Sequence, residues 1–371
     1  MRITKLETLF VKPRWLFLKM HTDEGIVGLG EPILEGRSQT VAAAVHEIGR
    51  FVIGMDPRHI EHNWQAIYRW QFYRGGPILT SALSGIEQAM WDITGKWLGQ
   101  PVYRLLGGPT RERIRLYRHV GGPVVDGKVP RAAAAVAEGF TAIKVGLSGP
   151  LRQVDNLARV QQFERYLAAL RDTVGPEVDI GVDFHGVASP AMSIRLAKAI
   201  EPHYPMFIEE PVLPGNVDEL VRVARSTTIP IATGERLFTK WGFREVIEKQ
   251  AAAILQPDLS HAGGILEVKK IAAMAECYYG SIAPHCPLGP IALAACLQLD
   301  ACIPNFLIQE FVNLGDGYLK EPFRIVDGFI PLPTKPGLGI ELDEEALADK
   351  VYDGSWDHTP SLHEDGSVAD F

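Results

Sequence analysis

Only four of the 371 residues are cysteine, and none of them stands in a CxxC pair. Cys277, Cys286, Cys296 and Cys302 all fall within one stretch of 26 residues. A chain of this length does not need disulfide staples, so the expectation is four reduced thiols in a cytoplasmic protein, each a small buried apolar residue. No apolar run reaches the roughly 18 residues that a membrane helix needs. The opening segment MRITKLETLF lacks the continuous apolar core of a signal peptide. The net charge is -8 with no long run of one sign. That argues against nucleic acid as a partner, since such binders carry a basic face. It leaves small anionic substrates open, because a local site can be cationic inside an acidic protein. No GxGxxG follows a candidate strand and no phosphate loop is present, so a doubly wound dinucleotide fold lacks its usual fingerprint.

What remains is an ordinary globular composition, 46% apolar and 22% charged, in a length that suggests two domains. Residues 1–31 read as an antiparallel meander. Ile3, Leu6 and Leu9 mark a first strand and Trp15 to Leu18 a second. Thr22-Asp23-Glu24-Gly25 makes a turn, and Ile26 to Gly30 a third strand. A helical stripe follows at Val41, Val45, Ile48, Phe51 and Val52, with Ser38 or Thr40 as its cap. Residues 78–98 read as a long, mostly apolar helix ending near Gly99. This α+β region spans 1–112 and is expected to be completed by the Gly- and Pro-rich tail, 326–371.

From residue 113 short apolar runs alternate with amphipathic stretches, the βα rhythm of a parallel sheet. The runs are RIRLYRHV, TAIKVG, VDIGVDFH, PMFIEEP, IPIATGE, AAAILQPD, SIAPH and NFLIQE. Helical stretches separate them at 152–173, 190–202, 216–226, 240–249, 264–278 and 289–299. Eight strand candidates within 113–325 fit the lower end of the β/α-barrel size range.

The late strands all end on a polar residue. Asp183 ends strand 3, Glu209 strand 4, Glu235 strand 5, Asp258 strand 6, His285 strand 7 and Glu310 strand 8. The spacings are 26, 26, 23, 27 and 25 residues, one βα unit each time. All six should therefore gather at the carboxyl ends of the strands, the active-site face of such barrels. Taken singly, an Asp at a strand end often caps a helix and a lone His is often a satisfied core residue. Six in phase are hard to explain that way. Asp183, Glu209 and Glu235 would repel if left unpaired in a pocket, and their hard oxygens suit one divalent cation, Mg²⁺ before zinc, with Mn²⁺ able to substitute. His185 lies two residues after Asp183, which in a strand points both side chains the same way. His285 lies on the opposite side of an eight-stranded barrel, next to Asp258, which is placed to accept a hydrogen bond from it. The set is that of metal-assisted proton abstraction with a separate acid.

These segments resemble the mandelate racemase-type members of the enolase superfamily, and among them the galactonate dehydratases, over essentially the whole chain. The resemblance rests on PRWLFLK, FYRGGPIL, VDFHG, FIEEPV, GER, LQPDLSHAGG, APHCPLGPIALAAC and the tail WDHTPSLHEDGSVADF. It implies a capping domain on a modified TIM barrel of (β/α)7β type. It makes Asp183, Glu209 and Glu235 the Mg²⁺ ligands. It makes His285 the general base supported by Asp258, His185 the general acid, and Glu310 a hydrogen-bonding group near the enolate. Lys144 becomes a substrate or metal-site contact. Trp15, Tyr73 and Arg74 become candidates for reading the distal hydroxyls of a sugar acid. A homo-oligomer, dimer or octamer, is also implied. One position departs: strand 2 reads Lys144-Val145-Gly146, where racemases of the group tend to carry Lys-x-Lys and galactonate dehydratases Lys-x-Asn. A lysine base from strand 2 is thereby removed, and the identity of the sugar acid rests on other contacts. A racemase or epimerase on the same fold would need two bases, for which His185 and His285 could serve. A non-catalytic scaffold would have no need for the Asp258–His285 pair.

Overall fold

A computed structural model describes every residue except 71, 122–124, 148, 357–358 and 371. The chain opens with β1 (Ile3–Val11), β2 (Trp15–Thr22) and β3 (Val27–Gly30), an antiparallel sheet in the order β1-β2-β3. Helices α1 (Ser38–Val52), α2 (Ile60–Trp70), α3 (Gly76–Leu98) and α4 (Val102–Leu105) pack against it. The cap expected for α1 is not found. Ser38 is already the first helical residue, and Arg37 precedes it without a side-chain cap. The helix is held by its buried face, Val41, Val45 and Val52. At the other end of this region α3 stops as the sequence suggests, at Gly99 in the left-handed conformation (φ 64°).

The fit between β3 and α3 is set by absent side chains. A Cβ on Gly30 would run into the carbonyl of Gly85, and one on Gly28 into that of Ala89. Strand and helix backbones therefore touch, which draws α3 deep enough to be buried on most sides between Thr80 and Gly95.

The parallel sheet comprises β5 (Arg118–His119), β6 (Ala142–Gly146), β7 (Asp179–Asp183), β8 (Phe207–Glu209), β9 (Ile231–Thr233), β10 (Ile254–Leu255) and β11 (Ser281–Ile282), preceded by β4 (Arg113–Arg115). Its order runs β11-β10-β9-β8-β7-β6-β5 without a break. Segment 305–310 closes the ring, since Phe306 bridges Ile282 on one side and Gln309 bridges Leu116 on the other. The helices are α5 (Val125–Ala137), α6 (Leu157–Val174), α7 (Pro190–Ile200), α8 (Val217–Ala224), α9 (Thr239–Glu248), α10 (Ile265–Glu276) and α11 (Pro290–Cys302). The barrel centre is filled by Tyr117, Ala142, Phe207, Ala232, Ile254, Ala283 and Ile308.

RIRLYRHV is not one strand. Its first three residues pair antiparallel with β12 (Phe329–Pro331), outside the barrel. The tail then runs back to the N-terminal region. Leu338 donates its N–H to Asp92 of α3, Lys19 of β2 pairs with Glu344 in α12 (Glu344–Ala348), and Val351 bridges Val11. Among the described residues no helix is long and apolar enough to cross a membrane. The cysteines are free, but only Cys286, Cys296 and Cys302 are buried; Cys277 is exposed, because it terminates α10 at the barrel surface.

Candidate active site

Strand register brings the first polar residues together. Asp183 pairs directly with Glu209 across β7 and β8, and with Gly146 across β6 and β7. Lys144 projects from β6 into the same space. Its ammonium lies 2.7 Å from Glu209 Oε1, 3.1 Å from Asp183 Oδ2 and 3.2 Å from Glu310 Oε1, with all four side chains buried. Lys144 is thus a buried counter-ion for three strand-end carboxylates, a more central place than a strand-end surface residue would have. Asp183 is buried, yet Lys144 and His185 hold its carboxyl well below the usual range. Glu209 goes the other way, pushed up to about 8 by burial and by the charge on Asp183. Gln256 donates to its second oxygen at 2.7 Å.

His185 reaches Asp183 by a different route from the one its spacing suggests. β7 ends at Asp183, and His185 adopts a left-handed backbone (φ 49°) in the turn that follows. The turn is held by the His185 N–H, which donates to Asp183 Oδ1 at 2.9 Å. The ring then folds back to place Nε2 3.1 Å from Asp183 Oδ2. That hydrogen bond raises the imidazole pKa, against burial.

On the far side, His285 Nδ1 lies 2.8 Å from Asp258 Oδ2, and its Nε2 lies 3.3 Å from Glu235 Oε2. Burial lowers the His285 pKa, but Glu235, Glu310 and Asp258 outweigh it and carry it well above the ordinary value. Glu235 is itself raised, chiefly by burial. Glu310 accepts from the Cys286 N–H at 2.8 Å and meets His119 Nε2 at 2.7 Å. Its carboxyl is buried but held well below the usual range, first by Lys144 and then by His285 and His119. His119 was open to the same strand-end logic that picks Glu310, since it is the last polar residue of the run RIRLYRHV and ends β5. Gln256 carried no such signal.

The capping-region candidates lie apart from this cluster. Trp15 is buried in β2 beside the Arg14 guanidinium. Tyr73 is exposed, edge-on to Phe72, and Arg74 lies over the Tyr68 ring. Tyr73 and Arg74 occupy the link between α2 and α3, and α3 itself does reach the site: Ser81 Oγ is 3.0 Å from His261 Nδ1, three residues beyond Asp258.

Among the described residues no three His, Cys, Asp or Glu side chains converge as a finished ligand set. Lys144 sits between Asp183 and Glu209, and Glu235 leans toward His285. The donor chemistry nevertheless fits a hard divalent cation. The three carboxylates end neighbouring strands, and burial together with the charge on Asp183 raises Glu209 to about 8, a strain that added positive charge would relieve.

Comparison with known proteins follows the same lines. Residues 7–107 match the family described as mandelate racemase / muconate lactonizing enzyme, N-terminal domain, and residues 128–346 the one described as enolase C-terminal domain-like. The chain is 48% identical, over the full length of both, to a protein of Variovorax paradoxus named D-galactonate dehydratase. It is 46% identical, again end to end, to one of the same name from Cronobacter sakazakii. A crystal structure of a mandelate racemase/muconate lactonizing enzyme from Sulfitobacter sp. superposes with a TM-score of 0.92 at 36% identity, covering 100% of both chains.

Proposed function

Since the chain belongs to the enolase superfamily, in its mandelate racemase and muconate lactonizing enzyme group, we propose that it dehydrates D-galactonate to the 2-keto-3-deoxy acid with His285 as base and His185 as acid. That it is a sugar-acid dehydratase, a hydro-lyase, follows from the full-length relatives. The observation that carries the division of labour is the placement of two histidines at opposite margins of one carboxylate cluster. His285 is steadied by Asp258, and His185 by Asp183.

A proton beside a carboxylate is very weakly acidic, because its removal puts a second negative charge on that group. Asp183, Glu209 and Glu235 would hold Mg²⁺, which when bound would supply positive charge against the second negative charge of the enediolate. Lys144, in the same cluster, adds a second cation. His285 accepts the α-proton at Nε2 while Asp258 accepts from Nδ1–H and keeps the ring in that tautomer. The accepting form of His285 is the neutral imidazole, with Nε2 free of a proton. His185 donates its proton to the departing β-hydroxyl, which leaves as water. The enol that remains tautomerises to the 2-keto acid. Glu310 is assigned to hydrogen-bond the developing enolate, a role that requires its carboxyl first to take up a proton, for which His119 Nε2 at 2.7 Å is a source.

Gly146 favours some latitude in the sugar acid. A Cβ there would meet only the Asp183 carbonyl at 3.7 Å, an ordinary contact, so the position has room that no side chain uses. Trp15, Tyr73 and Arg74 are assigned to the distal hydroxyls, with 1–112 and 326–371 acting as the capping domain over a 113–325 barrel. We read the enzyme as cytoplasmic, in keeping with its free thiols. We also read it as a homo-oligomer, in keeping with the exposed Trp70, Phe72 and Tyr73, which light scattering would test.

The deciding experiment is incubation with aldonic and aldaric acids in Mg²⁺ buffer, with 2-keto product captured as its semicarbazone. D-galactonate should give the largest signal. A stereoisomer of the substrate without any 2-keto acid would instead identify an epimerase.

A further inference from the structure

The His285–Asp258 pair sits on two barrel loops, and each loop is held from outside the barrel by one of two linked buried side chains. Gln88 of α3 is fully buried. Its Oε1 accepts the Glu31 N–H at 2.9 Å, and its Nε2 donates to the Leu259 carbonyl at 3.1 Å and to Ser260 Oγ at 3.2 Å. The Ser260 N–H in turn donates to Asp258 Oδ1 at 2.7 Å, leaving Oδ2 for His285. Glu31, one residue beyond β3, is equally buried. Its two oxygens accept the N–H groups of Gly289 at 2.7 Å and Ala292 at 2.9 Å, at the start of α11 and just past His285. The contacts form a closed ring: Asp258, Ser260, Gln88, Glu31, the start of α11, His285 and back to Asp258.

We propose that Gln88 and Glu31 are positioning residues for proton abstraction, fixing the relative placement of Asp258 and His285 from the N-terminal region. The inference rests on His285 being the base. Its physical ground is geometric. Neither loop belongs to the short ladder of β10 or β11, which pair over only two residues each, so strand pairing alone leaves Asp258 and His285 loosely placed. A displacement of about 1 Å in a reacting group can cost on the order of 10²-fold in rate. Two amide hydrogen bonds and a two-point carboxylate cap, all excluded from water, remove that freedom.

Glu87 provides the internal comparison. It neighbours Gln88 on α3, is just as buried, and caps a barrel helix in the same manner, accepting Ile265 and Leu266 N–H groups at 2.8 Å. Its remaining hydrogen bond is from Trp91. It shares the packing role but is not a link in the ring.

The test compares Gln88→Leu, Glu31→Ala and Glu87→Gln for steady-state kinetics on D-galactonate and for deuterium uptake at the substrate α-carbon, with thermal unfolding followed in parallel. Gln88→Leu and Glu31→Ala should lower kcat about 10²-fold with KM within about threefold, and slow deuterium uptake equally. Glu87→Gln should lower Tm and leave kcat and deuterium uptake in place. Gln88→Asn, made beside the leucine variant in case that one does not fold, should show the same kcat-selective loss to a smaller extent. Unchanged kcat in the Gln88 and Glu31 variants overturns the proposal, as does an equal loss in all three positions, which would mark the contacts as packing only. His285→Asn runs alongside: if it still exchanges the α-proton, the base assignment itself falls, whereas an inactive His285→Asn with wild-type-like Gln88→Leu removes only the positioning role.

Discussion

His185 and His285 meet different partners, and their removal should leave different residual chemistry. His285→Asn removes the base that Asp258 orients, so both dehydration and α-proton exchange should fall by about 10²–10⁴-fold. His185→Asn leaves that base in place. It should lose dehydration to a similar degree while still incorporating solvent deuterium at the α-carbon, which proton NMR reads directly. A His285 variant that dehydrates at the normal rate would contradict the assignment. Glu209→Gln removes one hard donor and one of the three carboxylate partners of Lys144; calorimetric titration should show Mg²⁺ heat lost together with turnover. At this scale the sequence disclosed positions better than partners. The strand-end phase located Asp183, Glu209, Glu235, Asp258, His285 and Glu310, because one βα unit recurs at nearly constant length. It could not show that Lys144 lies among three of them, since that depends on lateral register: Lys144 pairs with Gly181, whose missing side chain is replaced by the Phe207 ring nearby. Nor could a period-two argument describe His185, which reaches Asp183 only because the strand has already ended.

Elements with a strong apolar period were legible, and those without one were not. The meander, α1, α3 and the six helices from α6 to α11 match the hydrophobic pattern of their segments. α2 was missed because its sequence, IEHNWQAIYRW, buries only Ile60, Asn63 and Trp64; one of those three is polar, and the stripe is too thin to register. α5 was missed because it contains Gly127 and Pro130, residues that ordinarily break helices. The barrel strands proved shorter than their apolar runs. AAAILQPD contributes only Ile254 and Leu255 to the ladder, and the residues that follow leave it to place Gln256 and Asp258 in the buried site. The contact of β3 with α3 gives a sharper forecast. Gly30→Ala forces a methyl group onto the Gly85 carbonyl, and backbone cannot yield as a flexible side chain can. It should destabilise the fold by about 1–3 kcal/mol or more, read as a lower midpoint in urea, with a matching loss of activity if α3 is displaced from Ser260.

The whole molecule carries a pH signature from carboxyls buried at the junction of its two parts. Burial pushes Glu87 up to about 8 from an ordinary 4.5, despite the backbone N–H groups it accepts. Between those values the folded chain keeps a proton that the unfolded chain has released, so the contribution to stability is complete below about 4.5 and is lost as pH rises through about 8. Glu31, also raised to about 8 by burial, acts in the same sense. The Tm advantage of the wild type over Glu87→Gln should therefore be larger at about pH 5 than at about pH 8.5, as measured by scanning calorimetry. An advantage that grows with pH would mean that the helix terminus keeps the carboxylate ionised and wins over burial.

The same junction bears on how such a protein can be recombined. Glu31, Ser84, Glu87 and Gln88 each engage particular backbone groups between 259 and 292, deep inside and away from water. A chimera that joins this barrel to the N-terminal part of a distant relative must reproduce those four partners or leave donors and acceptors stranded, at about 1–3 kcal/mol apiece. Shuffling experiments with crossovers near residue 110 should therefore yield soluble hybrids only when both parents carry the same residues at these positions. The two parts of the chain are then exchanged together or not at all.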